Sequence, residues 1–514
     1  MSTMAVRHDV TLMMSKILKV QPVRLMSAVS SATTDQMKVK PFEEIPGPGG
    51  VYRWPVVGTL LHFKPFTKYT PETLHKLNDS LFDKYGPVVR VRLGEDMVMI
   101  CDLKDIDTIY RHEGKYPNRP TMDVTGEIFA KNGFKKGLAE LQGKEWHALR
   151  TPVNKRLMKA DSAYHYLVPQ NAVADDFVNI LATQKLTPEE MKDLFFWFAT
   201  ESIAVVTFNT RLGYLDGSAD ADAKAFIEAL KTIFVHINKS LTGDFAYKWY
   251  GSKKFKDAER CVLVVRENTL KHTMKAQRTI DEQKRNGTLN PDEPNLLHYL
   301  ASDSSLTTED IVNILFALYM AGTDSTAKNL QAFFYNLAKH PEKQEILRKE
   351  ILNTVGKNGV VDAQALSKLS YLKHCLKESF RLNYPTVIGT VRILPTDVVL
   401  GGYNVPAGTQ ILCCNPRSAK AYFKDADKYL PERWIRSEEC PVDNSNSMAV
   451  IPFSHGPRNC IGRRFAVQEI YLAAAKVLQK LKIELEPESW NTEFIYTTFI
   501  DTKTPLRFKF SKLD

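Results

Sequence analysis

Cys460 lies in the stretch FSHGPRNCIGRR, residues 453–464, two positions after Arg458 and two before Gly462. A cysteine placed this way can be a buried core thiol, a nucleophile, a zinc ligand or an axial ligand to iron. A nucleophile needs a partner base, and His455 is held five residues away with Gly456 and Pro457 between. Zinc is disfavoured: the seven cysteines, at 101, 261, 375, 413, 414, 440 and 460, form no C-x-x-C pair, and no histidine stands at zinc-finger spacing. Their odd number also argues for free thiols in a reducing compartment rather than a disulfide framework. A second stretch, AGTDST at 321–326, sets an acid, Asp324, beside two hydroxyls, Ser325 and Thr326. Such a group can hand protons to something bound above it, from a groove opened at Gly322. It can equally be a helix kink whose hydroxyls satisfy loosened carbonyls.

The elements carrying these residues are legible. After Cys460, apolar residues recur at Phe465, Ile470, Ala474 and Leu478 with helical spacing. The cysteine therefore sits at the amino end of a helix, where free N–H groups and the positive dipole end stabilise a thiolate. A thiolate on a glycine-flanked loop suits one open face of a flat metal centre. The AGTDST segment lies in the middle of 306–341. Thr307 or Thr308 can cap this run, Glu309 and Asp310 occupy its first turn, and Pro341 ends it. Some 32 residues at about 1.5 Å each give a rod of about 48 Å. Apolar residues surround it, so the spacing predicts a central, buried helix.

With these pieces in place, the chain resembles the cytochrome P450 family. Phe453, Gly456, Arg458, Cys460 and Gly462 fit the haem-binding signature Phe-x-x-Gly-x-Arg-x-Cys-x-Gly. Further motifs follow in the family's order: WHALR with Trp146 and Arg150, AGTDST, ESFR with Glu378 and Arg381, and YLPERW with Arg433. The resemblance runs from about Pro46 to the carboxyl end. It implies a mainly α fold with small β-sheets, in one large domain over 51–514 whose long central helix crosses above haem. It also implies Cys460 as the proximal thiolate ligand of an iron porphyrin, within a cofactor site that includes Phe453. Trp146, Arg150, Arg392 and Arg458 would pair with the haem propionates, since guanidinium forks suit carboxylates. Glu378, Arg381 and Arg433 would form a structural ion network. Asp324 with Ser325 and Thr326 would deliver protons. The family usually places Thr directly after the acid; here Ser325 stands there, keeping the hydroxyl but losing the methyl that restricts χ1.

The implied activity is insertion of one atom of O2 into an apolar organic substrate, steroid-like or xenobiotic. The alternatives are a haem-thiolate isomerase or dehydratase, and a haem-binding sensor or carrier without turnover. The segments 119–140, 205–260 and 494–502 are expected to line the substrate site, with Phe129, Phe234 and Phe499 among them. Lys373 and Lys377 stand at i and i+4, and Arg463 and Arg464 follow the signature. These four resemble the mitochondrial branch, where basic residues dock an adrenodoxin-type ferredoxin that brings electrons from NADPH through its reductase.

Net charge is +10, yet no run of five like charges appears, and solvated faces account for most of it. No nucleic-acid partner is expected. Residues 1–34 contain Arg and Lys, are rich in Ser and Thr and nearly free of acids. As a helix they place Val6, Val10, Met13, Ile17 and Val20 on one face, the pattern of a mitochondrial presequence. Residues 35–50, rich in proline and glycine, form an irregular lead-in. No apolar run here approaches the ~20 residues that span a bilayer. The expected location is therefore peripheral, on the matrix side of the inner mitochondrial membrane.

Overall fold

The long apolar run at 306–341 becomes a helix from Thr308 to Lys339, 32 residues, in a computed structural model that describes residues 39–120, 123–241, 244–290, 295–387, 390–435 and 448–513. The presequence at 1–34, the start of the lead-in and Cys440 lie outside the described residues. Thr307 caps this central helix by accepting from the Asp310 N–H, while the Asp310 carboxylate accepts from the Thr307 N–H. Two otherwise unpaired donors are satisfied at once. His340 leaves helical geometry at φ −128°, and Pro341 starts a new helix.

Helices dominate: sixteen α-helices stand against ten short strands among the described residues. The helix Pro188–Phe208 packs along the central one and is buried over most of its length. Helices Lys253–Arg285 and Arg463–Lys480 pack on it too. Phe195, Phe333, Phe334, Tyr319 and Leu330 are fully enclosed between these rods. Gly322 has its own part in this packing. A Cβ there would lie 3.1 Å from Ile203 of Pro188–Phe208. The glycine thus admits the neighbouring helix; it is itself half-buried, and its neighbour Ala321 is exposed.

A four-stranded sheet holds a second, smaller core. Val88–Leu93 turns at Gly94, φ +82°, into Glu95–Ile100. Gln410–Cys413 pairs parallel with the latter, Met97 opposite Gln410, and Val391–Ile393 pairs antiparallel on its far side. That last pairing sets Arg392 opposite Ile411 and points its side chain into the interior, 2% exposed. Two-stranded hairpins at 398–405 and 494–502, and the pair 481–485 with 508–512, complete the sheets.

Candidate active site

The Cys460 loop is closed by its own backbone. Ser454 and Gly456 take positive φ, +61° and +75°, and the Cys460 N–H donates to the Phe453 carbonyl at 2.9 Å. Gly456 is required: a Cβ there would collide with the Glu113 carboxylate. The helix Arg463–Lys480 begins three residues beyond Cys460, with Gly462 at its N-cap. Burial raises the Cys460 thiol pKa, while the backbone N–H groups of Gly462 and Arg463 and the positive charges of Arg150 and Arg463 oppose that rise and favour the thiolate. Yet Cys460 also has open surface. An atom on the wall of an interior recess has both properties. Coordination to a metal cation would resolve the conflict, because the cation replaces the water a buried thiolate lacks.

Four guanidinium groups converge nearby. Arg458 donates from Nε to the Pro117 carbonyl at 3.0 Å and from Nη2 to Leu141 and Gln142, at 2.7 and 2.9 Å. Its Nη1 is buried without a partner. Burial first, then Arg119, Arg392 and Arg150, pushes its pKa down to about 9. Arg150, one turn after Trp146 on the helix Gly143–Leu157, donates to the Asn459 carbonyl at 2.7 Å; burial lowers its pKa to about 10. Arg119 is also lowered, by burial and then by Arg392. Arg392 has already found a carboxylate: its Nε donates to Glu113 at 2.5 Å, so the fork expected to face a propionate is partly committed.

This set fits haem. The Arg458 Nη1 lacks an acceptor, and the four cations repel one another, with Glu113 and Glu140 opposing them among the described residues. A porphyrin carrying two carboxylates would answer both needs, with Cys460 presented to iron. Trp146, 2% exposed, lies beneath the Arg458 guanidinium. Phe453 is partly buried and meets Phe380 edge-on.

Glu378 is fully buried and accepts five hydrogen bonds. Arg381 donates twice at 2.9 Å, Arg433 Nε at 2.9 Å, the Leu430 N–H at 2.9 Å and the Trp434 indole at 3.0 Å. The three sequence-named members are thus together, and Trp434 joins them. Such a carboxylate is satisfied only while all its donors stay in place.

The AGTDST stretch stays helical, and its hydroxyls turn back on the helix. Ser325 Oγ donates to the Ala321 carbonyl at 2.6 Å and Thr323 to Tyr319 at 2.9 Å. Thr326 Oγ1 is buried with no partner. Asp324, 6% exposed, accepts from Lys328 Nζ at 2.7 Å. Burial raises its pKa, and Lys328 opposes that rise. Ser325 and Asp324 therefore have separate partners here.

Among the residues expected to line the substrate site, Phe129 is buried against Phe316 of the central helix, ring centroids 5.4 Å apart. Phe234 is buried and Phe499 half-buried. On the outside, Lys377, Arg463 and Arg464 are exposed, and Lys373 is half-buried with its ammonium on the Ser367 carbonyl at 2.7 Å. Burial and then Arg463 lower the Lys377 pKa, which puts the two cations in one field.

Sequence reasoning missed Arg119, Glu113, Lys328, Trp434 and Asp501. Lys328 was within reach, since it follows Asp324 by four residues on a helix. Glu113 and Arg119 carry no such signal, because tertiary packing alone brings them to the loop.

A family model described as cytochrome P450 matches residues 48–510. Among curated relatives, "Cytochrome P450 10" of Lymnaea stagnalis is 29% identical over 92% of this chain and 86% of its own. "Probable cytochrome P450 12a5, mitochondrial" of Drosophila melanogaster is 29% identical over 92% of each. "Sterol 26-hydroxylase, mitochondrial" of Oryctolagus cuniculus is 29% identical over 92% of this chain and 89% of its own.

Proposed function

The chain belongs to the cytochrome P450 family, and from that premise we propose that it is a ferredoxin-dependent mitochondrial monooxygenase hydroxylating an apolar, sterol-like or xenobiotic substrate. It is a haem-thiolate monooxygenase by family. Cys460 is the ligand proposed here. The observation that carries the assignment is the sulfur of Cys460, set just before the amino end of the helix Arg463–Lys480 on a loop ringed by arginines with an unanswered donor. Bound haem supplies oxygen activation, which electron donation from a thiolate assists. The chain's own part is to hold that ligand, to receive the two propionates at Arg150, Arg458 and Trp146, and to keep a proton at Asp324 within reach.

The electron route draws support from the basic face formed by Lys377 and Arg463, with Arg464 and Lys373 flanking it. An acidic ferredoxin is steered by such a field. Two relatives bear the word mitochondrial in their names, and one is a sterol hydroxylase. The presequence composition agrees with that location. No helix among the described residues is long and apolar enough to cross a membrane. Peripheral attachment is supported by exposed apolar side chains in two stretches, Trp54, Val56, Val57, Leu60 and Phe66 in one, Trp249 and Tyr250 in the other. One observation favours an isomerase or dehydratase instead: the Ser325 hydroxyl is spent on Ala321.

Reduced protein exposed to carbon monoxide is expected to give the strongly red-shifted Soret band of thiolate coordination, and Cys460→Ser to lose it. Reconstitution with ferredoxin and reductase against a sterol and xenobiotic panel is expected to consume NADPH and O2 in step with hydroxylated product. Product formed without either reagent would favour the isomerase instead.

A further inference from the structure

Lys328 sits one helical turn after Asp324 and faces three acceptors. Its Nζ donates to Asp324 Oδ2 at 2.7 Å and to Thr497 Oγ1 at 2.9 Å, and lies 3.4 Å from Asp501 Oδ2. Asp501, in the strand Ile500–Thr502, accepts in turn from Lys192 Nζ at 2.9 and 3.1 Å. Lys192 belongs to the helix Pro188–Phe208 and is about a third exposed, whereas the side chains of Lys328, Asp324 and Asp501 are each nearly enclosed. Two cations and two carboxylates thus alternate in a row from the protein surface to the middle of the central helix.

We infer that Lys328 is a positioning residue for the monooxygenase reaction: it holds the Asp324 carboxylate and aims it along the helix, within a charge row that opens to solvent at Lys192. The inference rests on the enzyme reading above. An isolated carboxylate at this depth would take a proton and keep it. Burial indeed pushes the Asp324 pKa up, and Lys328 is the largest influence pulling it back; Asp501 pushes up and Lys192 pulls down from the neighbouring elements. Burial likewise disfavours the Lys328 charge, but Asp324 and Asp501 overcome it and raise its pKa. The second and third partners of Lys328 matter as much as the first. When Asp324 takes up a proton, the ammonium retains Thr497 and Asp501, so neither state of Asp324 strands a buried charge. A group that must accept and release a proton in each turnover needs both states to be tolerable.

The test uses the full-length, haem-loaded protein with ferredoxin and reductase. Lys328→Met is expected to keep the carbon monoxide band, raise the peroxide released per NADPH, enlarge the solvent isotope effect, and move the acid limb of the coupling profile upward by about one pH unit or more. Lys328→Arg is expected to restore the profile. A readout independent of turnover is the unfolding temperature: Lys328→Met should lose more stability at pH 8 than at pH 5, and adding Asp324→Asn should shrink that difference to the part owed to Asp501. If Lys328→Met does not fold, Asp501→Asn decides, because it removes the alternative partner and should also raise peroxide. Unmoved peroxide, isotope effect and pH profile in whichever variant folds would overturn the role of Lys328. A wild-type protein without the thiolate band would instead overturn the enzyme reading, while the pH-dependent stability link between Lys328 and Asp324 would still be measurable.

Discussion

The guanidinium of Arg458 lies 4.0 Å from the ring centre of Trp146, so the signature loop rests directly on the helix Gly143–Leu157. The contact orients the planar fork and leaves its buried Nη1 free for a carboxylate. Arg458→Leu is expected to lose one charge-assisted pair, about 1.5–3 kcal/mol, and with it roughly tenfold or more in haem affinity. Arg458→Lys should recover only part, because a point charge does not replace a fork. Haem content per protein, together with the rate of haem transfer to an acceptor globin, measures both.

Glu378 is the place where one substitution does most damage to the fold. Glu378→Gln removes the charge that Arg381 and Arg433 need and presents an NH2 to donors, so a loss of about 3–5 kcal/mol is expected. Denaturant titration of the haem-loaded protein checks this. A loss under about 1 kcal/mol would mean the network relaxes around the amide.

Glu469 supplies a pH dependence remote from the site. It is buried in the helix Arg463–Lys480, accepts from Gln170 at 3.1 Å and has no cation beside it among the described residues; burial raises its pKa to about 8 from 4.5, against a hydrogen bond from Ser202. The folded state therefore binds a proton that the unfolded chain has released. Its contribution is complete below pH 4.5 and is lost as pH rises to about 8. Glu469→Gln should flatten the stability profile over that window, and thermal melts from pH 5 to 9 would show it. A variant curve parallel to wild type would mean that Glu469 is ionised throughout.

Ser325 can turn its hydroxyl more freely than threonine, and here it donates to Ala321. Escape of reduced oxygen as peroxide is the expected consequence. Ser325→Thr should lower the peroxide released per NADPH, measured by peroxidase-coupled assay during turnover. An unchanged ratio would remove Ser325 from proton delivery.

Much of the fold was written in local pattern. The central helix could be placed from Thr307, the acids after it and Pro341, because capping and periodicity are short-range. The helix after Cys460 followed from its apolar spacing. The ion network could be named because Glu378 and Arg381 are three apart on one helix face. What remained hidden depends on distant segments meeting. Arg392, in a strand paired with 410–413, meets Glu113 at the end of the helix Leu103–His112, and nothing near either residue announces it. The packing of Gly322 was hidden for the same reason: its neighbour, Ile203, comes from another helix.

Trp434 carries the Lys377 ammonium 3.9 Å above its ring while its indole N–H serves Glu378. One aromatic plate thus ties an outward-facing cation to the interior. Charge reversal at 377 would disturb recognition and architecture together, whereas Lys373, resting on the Ser367 carbonyl in the last turn of the helix Ala363–Lys368, can vary with less penalty. The basic surface is therefore anchored to the interior at Lys377 and only to its own edge at Lys373.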